Sequence, residues 1–218
     1  MQSFLILKLA GVMQSWGSHT YEDYRPSLGF LSRSGLLGLL GACLGFRRDD
    51  KNSQLALAQS VRFAVRVDNQ PFPSVKLTDF HTVCNARKVG GKVSDYPVVS
   101  RREYLCDAAF TIAVGGTPGT PLRLAELAQA VQRPIFTPFL GRRSCPLLRP
   151  LFEAIVEAAD SLTALSRIEP QGGVIYSEEG ASNLPQLRLR DEPIIIRPRQ
   201  FASRRVYIHG GGNAPEQN

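Results

Sequence analysis

The sequence predicts an α+β fold: a ferredoxin-like (RRM-like) domain with an inserted basic β-hairpin, followed by a small β-rich C-terminal domain. Three observations predict it. An apolar run opens the chain and leads, through a polar loop, into a helix. The elements that follow read strand, strand, helix, strand, completing a β-α-β-β-α-β order. A segment rich in glycine, proline and charge interrupts that order in its middle. The expected boundaries are 1–147 for the ferredoxin-like domain, with the hairpin at about 84–103, then 148–209 for the small domain and 210–218 for a disordered tail. A chain of 218 residues accommodates this, since single domains run to ~100–200 residues and one this long buries about 70% of its unfolded surface.

Ser3 to Leu9, S-F-L-I-L-K-L, reads as a strand expected at the centre of a sheet. The polar stretch from Gly11 to Ser32 is longer than ordinary connections, and loops of that length are often functional. A helix is predicted from Arg33 to about Gly45, with Ser32 or Ser34 as N-cap. It places Gly35, Gly38, Gly41 and Gly45 with Ala42 on one side and five leucines on the other. Its interior glycines cost together about 2–3 kcal/mol relative to alanine, so something must approach that bare face closely. A sheet is the first expectation. The N–H groups at the helix start, beside Arg33 and Ser34, are also where a phosphate would sit.

A second helix is expected at Ser53–Ser60 and strands at Arg62–Asp68 and Val75–Val83. Between Asn85 and Glu103, Arg87, Lys88, Lys92, Arg101 and Arg102 face only Asp95 and Glu103, which reads as a long basic hairpin leaving the body. Tyr104–Val114 is read as one strand, and Thr120-Pro121 as the start of a helix to Gln132. Ile135–Thr137 is taken as the last strand of the ferredoxin-like unit. In the small domain, Leu151–Ala158 is a strand, Asp160 caps a helix to Arg167, and short strands fall at Val174–Tyr176, Gln186–Arg190, Pro193–Ile196 and Arg205–His209. The chain has no internal repeat.

Composition excludes disorder and a membrane-embedded protein: 43% of residues are hydrophobic and 21% charged. The longest apolar stretch, Gly35–Phe46, is well short of the ~20 residues a membrane helix needs. Met1–Ala10 has no basic leader, so a cytoplasmic protein is expected. The four cysteines stand 41, 22 and 39 positions apart. That spacing draws no zinc knuckle, and reduced, mostly buried thiols follow. Twenty-six basic against nineteen acidic side chains give a formal charge of +7, and all but five of the basic residues are arginine. Guanidinium grips phosphate bidentately and stacks on bases. Charge alone does not separate a polyanion partner from a solvated cationic surface.

Catalytic signatures are mostly absent. Gly91-Lys92 lacks the first glycine of a P-loop, Ser15 does not sit in G-x-S-x-G, and no H-E-x-x-H occurs. His81 reads as a structural histidine. Nucleic-acid features are better represented: arginine pairs at Arg47-Arg48, Arg101-Arg102, Arg142-Arg143 and Arg204-Arg205, with Trp16, Tyr21, Tyr24, Tyr96 and Tyr104 as stacking faces. No strand carries the aromatic signature of an ordinary RNA-recognition motif.

Long blocks then carry a resemblance. L-I-L-K-L-A-G-V-M-Q-S-W-G (Leu5–Gly17), R-P-S-L-G-F-L-S-R-S-G-L-L-G-L-L-G-A-C-L-G (Arg25–Gly45) and R-R-E-Y-L-C-D-A-A-F-T (Arg101–Thr111) closely resemble the CasD family. So do T-P-F-L-G-R-R-S-C-P (Thr137–Pro146), I-Y-S-E-E (Ile175–Glu179), D-E-P (Asp191–Pro193) and P-R-Q-F-A-S-R (Pro198–Arg204). This is the branch of the repeat-associated mysterious protein (RAMP) superfamily found in type I-E CRISPR Cascade complexes. The resemblance implies a ferredoxin-like RAMP domain with a thumb hairpin, and an RNA-binding subunit that caps Cascade by gripping the 5′ handle of crRNA. It implies contact with the backbone subunit CasC and the large subunit CasA, with target DNA met only through the complex.

Carried over by position, the handle-facing groups are Gln14, Ser15 and Trp16 of Q-S-W-G, Arg33, Ser34 and Gly35 at the helix start, and Arg101, Arg102 and Tyr104 at the thumb base. The G-R-R-S loop adds Arg142, Arg143 and Ser144, and Arg25, Arg47, Arg48 and Arg87 complete the set. No catalytic residue, metal or cofactor is expected. A sister branch cuts precursor RNA with Tyr, Lys and His, so a metal-independent endoribonuclease is the alternative. This chain has no adjacent Lys-His pair, and 2′-OH attack needs base, acid and cation together, which leaves cleavage to CasE.

Overall fold

The structure, a computed structural model, describes residues 1–18, 23–72, 74–88, 90–195 and 200–210. In chain order its elements are β1 (Gln2–Ala10), β2 (Met13–Gln14), β3 (Tyr24–Arg25), α1 (Arg33–Cys43), α2 (Lys51–Ser60), β4 (Val61–Val67), β5 (Val75–Val83), β6 (Val98–Cys106), β7 (Ala109–Gly116), α3 (Leu124–Gln132), β8 (Phe152–Ala158), α4 (Ser161–Ser166), β9 (Val174–Ser177), β10 (Gln186–Ile195) and β11 (Gln200–His209).

Alternation along β1 decides the layering. Leu5, Leu7 and Leu9 point to one face and Phe4 and Ile6 to the other, all of them buried. A strand apolar on both sides needs cover on both. Leucines of α1 and Leu57, Leu127 and Val131 of α2 and α3 fill the larger core, while Ala164 and Leu165 of α4 close the smaller one. The main sheet is antiparallel throughout, in the order β10-β11-β9-β4-β7-β1-β8. β1 is therefore interior but one place from the edge, not central. Under α4, Arg66 is buried with its charge met by Asp68 at 2.7 Å and its remaining donors by Leu165 O and Thr111.

Several elements differ from their sequence reading. Ile135–Thr137 is not a strand: the amides of Ile135 and Phe136 donate to Cys43 O and Ala42 O at 3.0 and 3.1 Å, satisfying carbonyls at the end of α1. The strand beside β1 is instead Phe152–Ala158, which had been expected to open the small domain. The predicted strand Tyr104–Val114 is two strands, broken where Asp107 adopts φ 54°. The third helix begins at Leu124 rather than near Thr120, whose hydroxyl closes a turn onto Thr117 O at 2.6 Å. Gln186–Arg190 and Pro193–Ile195 belong to one irregular strand. Apart from Gly210, the expected tail lies outside the described residues.

β5 pairs with β6 along its whole length, from Val75↔Cys106 to Val83↔Val98, outside the main sheet. The hairpin therefore has longer arms than expected, and its outgoing arm is the strand first assigned to the body. At α1, Ser32 is the N-cap and accepts from Gly35 N at 3.2 Å. The close neighbours of the glycine face are side chains rather than a sheet: a Cβ on Gly35 would stand 2.9 Å from the Trp16 indole and one on Gly45 2.8 Å from Ile135. Gly38 faces open space.

Candidate nucleic-acid interface

The smaller sheet is built on β6, with β5 on one side and β2 and β3 on the other. Tyr24 and Arg25 of β3 run parallel to β6 opposite Arg101 and Arg102. Strand alternation then divides the side chains. One face carries Arg25, Arg102 and Tyr104, with Leu77, Asp79 and His81 from β5. The other carries Tyr24, Arg101 and Glu103, with Lys76 and Phe80.

Glu103 ties the second face together. Its carboxylate accepts from the Tyr24 hydroxyl, from Ser27 N at 2.9 Å and from Lys76 at 3.3 Å, and its backbone carbonyl accepts from Ser15 Oγ at 3.0 Å. Burial pushes this carboxyl up, but the hydrogen bonds from Tyr24 and Ser27 and the Lys76 charge outweigh it and hold it below the usual glutamate value. The bond to Glu103 in turn raises the Tyr24 phenol.

The G-R-R-S loop is locked against this sheet. Gly141 adopts φ +83°, and a Cβ there would lie 1.8 Å from Ser15 O. Ser15 N donates to Leu140 O at 3.1 Å, and Leu140 N to Cys145 O at 2.8 Å. The loop thereby lays the Arg142 guanidinium over the Tyr104 ring, 4.5 Å from its centroid. Arg142 Nη2 reaches Arg25 O at 3.4 Å, which joins the loop, β3 and β6 in one cluster. Arg143 and Ser144 beside it are exposed. Among the described residues Arg25, Arg101, Arg102, Arg142 and Arg143 form no ion pair, although Asp79 is the cross-strand neighbour of Arg102 and lies beside His81 instead. Arg102 Nε donates to Ser100 Oγ at 3.0 Å.

Other candidates have internal work instead. Gln14 is fully buried, donating to Ala108 O at 2.6 Å and accepting from Trp16 Nε1 at 3.0 Å. Trp16 is 1% exposed and Ser15 4%, so Q-S-W-G supports the cluster from beneath rather than facing a ligand. Arg33 is also a correction. It lies 2.5 Å from Glu178 and donates to Ala58 O at 2.6 Å, while its Nε stands 2.6 Å from Glu192 without hydrogen-bond alignment. The seat expected for a phosphate at the start of α1 is filled by Asp191, which accepts from Arg33 N at 2.7 Å and binds Arg204 through both oxygens. Ser34 and Gly35 at that helix start are half-buried. Burial pushes the Glu178 carboxyl up despite Arg33 and Arg204. Arg47 and Arg48 are exposed in the turn between α1 and α2, and Arg87 is exposed near the hairpin tip, bridged to Val93.

A family model described as CRISPR-associated protein (Cas_Cas5) matches residues 4–207. The chain belongs to this family. A relative, "CRISPR system Cascade subunit CasD" of Escherichia coli (strain K12), is 50% identical over 97% of this chain and 98% of its own length. A solved chain titled "CRISPR RNA-guided surveillance complex" superposes with TM-score 0.76 at 29% identity, over 95% of this chain and 89% of that one. A second, "Crystal structure of Cas protein", gives TM-score 0.65 at 27% identity, over 95% and 94%. The family resemblance read from the sequence is borne out.

In this Cas5-family chain, Lys76 and Glu103, paired on the opposite face of the small sheet, are the charged residues that the arginine pairs did not disclose. A signal was present: V-K-L-T-D-F-H-T-V alternates too weakly for a body strand, and most of its residues are exposed. Arg204 shows the opposite error, because doublets do not distinguish an interface arginine from one with a buried carboxylate. The histidine expected to be structural, His81, is a half-exposed neighbour of Asp79, with Nδ1 3.5 Å from its carboxylate. Among the described residues no helix is long and apolar enough to cross a membrane.

Proposed function

We propose that this chain is the non-catalytic RNA-binding subunit of a type I-E CRISPR surveillance complex, Cascade, working in the cytoplasm. It caps the complex by holding the 5′ handle of crRNA and contacts CasC and CasA, and it meets target DNA only through the complex. The observation that carries the reading is the convergence of Arg25, Arg102 and Arg142 from three chain segments around Tyr104, none of them in an ion pair, with exposed Arg143 next to Arg142. The Arg33 and Arg204 charges, by contrast, are spent on Glu178 and Asp191. Unpaired guanidinium groups on a fixed loop and sheet suit phosphate and unstacked bases.

The order β8-β1-β7-β4, with α1 and α2 after its first strand in the chain and α3 before its last, supports reading the body as a ferredoxin-like RAMP unit. The β5–β6 hairpin, inserted between β4 and β7, then serves as the thumb. Residues 148–209 act with that body, since β8 bonds to β1 and β9 to β4.

Arg102→Ala and Arg143→Ala are each expected to weaken handle retention by ~1–3 kcal/mol, the range for removing one partner of a hydrogen bond. Filter binding of labelled handle RNA and the yield of assembled complex measure this. Wild-type values for both variants would move the interface elsewhere. Incubation of the purified chain with repeat RNA in EDTA is expected to give no product, whereas a discrete cut would establish the endoribonuclease alternative.

A further inference from the structure

The arginines held within the folded body are matched with carboxylates: Arg33 with Glu178, Arg66 with Asp68 and Arg204 with Asp191. Arg142 is different. It is half-buried, lies flat on Tyr104, and has no ion pair among the described residues. Its Nη2 makes only the 3.4 Å contact to Arg25 O, and its Nη1 is buried with no acceptor. Folded proteins rarely leave a buried donor unmatched, which marks this side chain out among the arginines of the chain.

The plane of this group is fixed from below and from behind. Tyr104 is 6% exposed, packed into the hydrophobic core with the guanidinium over its ring. The Arg142 backbone cannot shift easily, because Gly141 is wedged against Ser15 O and Cys145 N donates to Arg142 O at 2.9 Å. On the face that carries Arg25 and Arg102, the nearby rings are closed to a base: Trp16 is buried under α1 and Tyr104 lies beneath Arg142, while the exposed rings of Tyr24 and Phe80 belong to the opposite face of the small sheet. The flat surface that remains at the centre of the cluster is the guanidinium itself.

We propose that Arg142, laid on Tyr104, is the stacking platform for one unstacked nucleobase of the bound RNA. This deepens the RNA-binding reading and rests on it. Arg142 acts through its plane, which a lysine cannot supply, whereas exposed Arg143 acts through its charge.

The test uses the full chain and single-stranded RNAs of the crRNA handle sequence, with 2-aminopurine placed at each position in turn. Wild type is expected to quench strongly at one position. Arg142→Lys keeps the charge, yet should abolish that quenching and weaken binding about ten-fold, the scale of one lost base stack. Tyr104→Leu, which removes the support and leaves Arg142 in place, should do the same. Arg133→Lys, at an exposed arginine that ends α3 away from the cluster, should bind and quench like wild type. Wild-type affinity and quenching in Arg142→Lys would overturn the proposal, as would RNA binding by wild type with no quenched position. Failure of wild type to bind the RNA at all would overturn the RNA-binding reading itself.

Discussion

Gly141→Ala is expected to cost about 3 kcal/mol of stability or more and to remove most handle binding from the protein that remains folded. Two costs combine. At φ +83° an L-residue pays ~1–2 kcal/mol for the left-handed region. The added methyl would also stand 1.8 Å from Ser15 O, a main-chain atom held by the hydrogen bond from Ser15 N to Leu140 O. Relief requires the G-R-R-S loop and the Q-S-W-G segment to part, which lifts Arg142 off Tyr104 and away from Arg25. Urea unfolding and filter binding measure the two effects. Gly38→Ala is the matched control: its Cβ meets open space on α1, so alanine should stabilise by ~0.5–1 kcal/mol through helix propensity and leave binding unchanged. Equal behaviour of the two variants would refute the lock between the loop and Ser15.

That lock explains which parts of the molecule were legible in the sequence. Elements with a strong local signal were readable: the period-2 run of β1, the Ser32 cap of α1 and the Asp160 cap of α4 all lie where local chemistry puts them. Elements decided by distant partners were not. Ile135–Thr137 looks like a strand until the open carbonyls of Cys43 and Ala42 claim its amides. Val75–Val83 has the length of a body strand, and its place outside the main sheet is set by pairing with β6. The same holds at the interface. Arg142-Arg143 and Arg101-Arg102 were visible as cations, but in a regular strand adjacent residues face opposite sides. Only one arginine of the second pair therefore shares a face with Tyr104. The inner role of Gln14 and Trp16 was hidden for a related reason, since a conspicuous polar-aromatic motif serves a buried hydrogen bond as readily as a ligand.

Arg33→Met should be among the most destabilising single changes in the chain, and it should damage folding rather than RNA contact. Arg33 neutralises Glu178 and lies against Glu192, while its amide holds Asp191. Removing one partner of a buried ionic cluster leaves uncompensated charge and typically costs ~3–5 kcal/mol. The deficit should depend on pH in a definite direction. Glu178 already has a raised pKa, because burial outweighs the pull of Arg33 and Arg204, and losing Arg33 raises it further. A carboxyl whose folded pKa lies above its unfolded value binds its proton more tightly when folded, so its contribution to stability falls as pH rises beyond the ordinary glutamate range. The variant is therefore expected to lose more stability relative to wild type at pH 7 than at pH 5, where a larger fraction of Glu178 carries its proton and needs the guanidinium less. Denaturant unfolding at the two pH values measures this, with handle affinity per folded molecule measured alongside. A pH-independent deficit would mean that the lost stability is packing against Phe63, over whose ring the guanidinium sits at 5.4 Å. Unchanged stability with lost RNA affinity would instead place Arg33 at the interface and show that Asp191 gives way to phosphate at the start of α1.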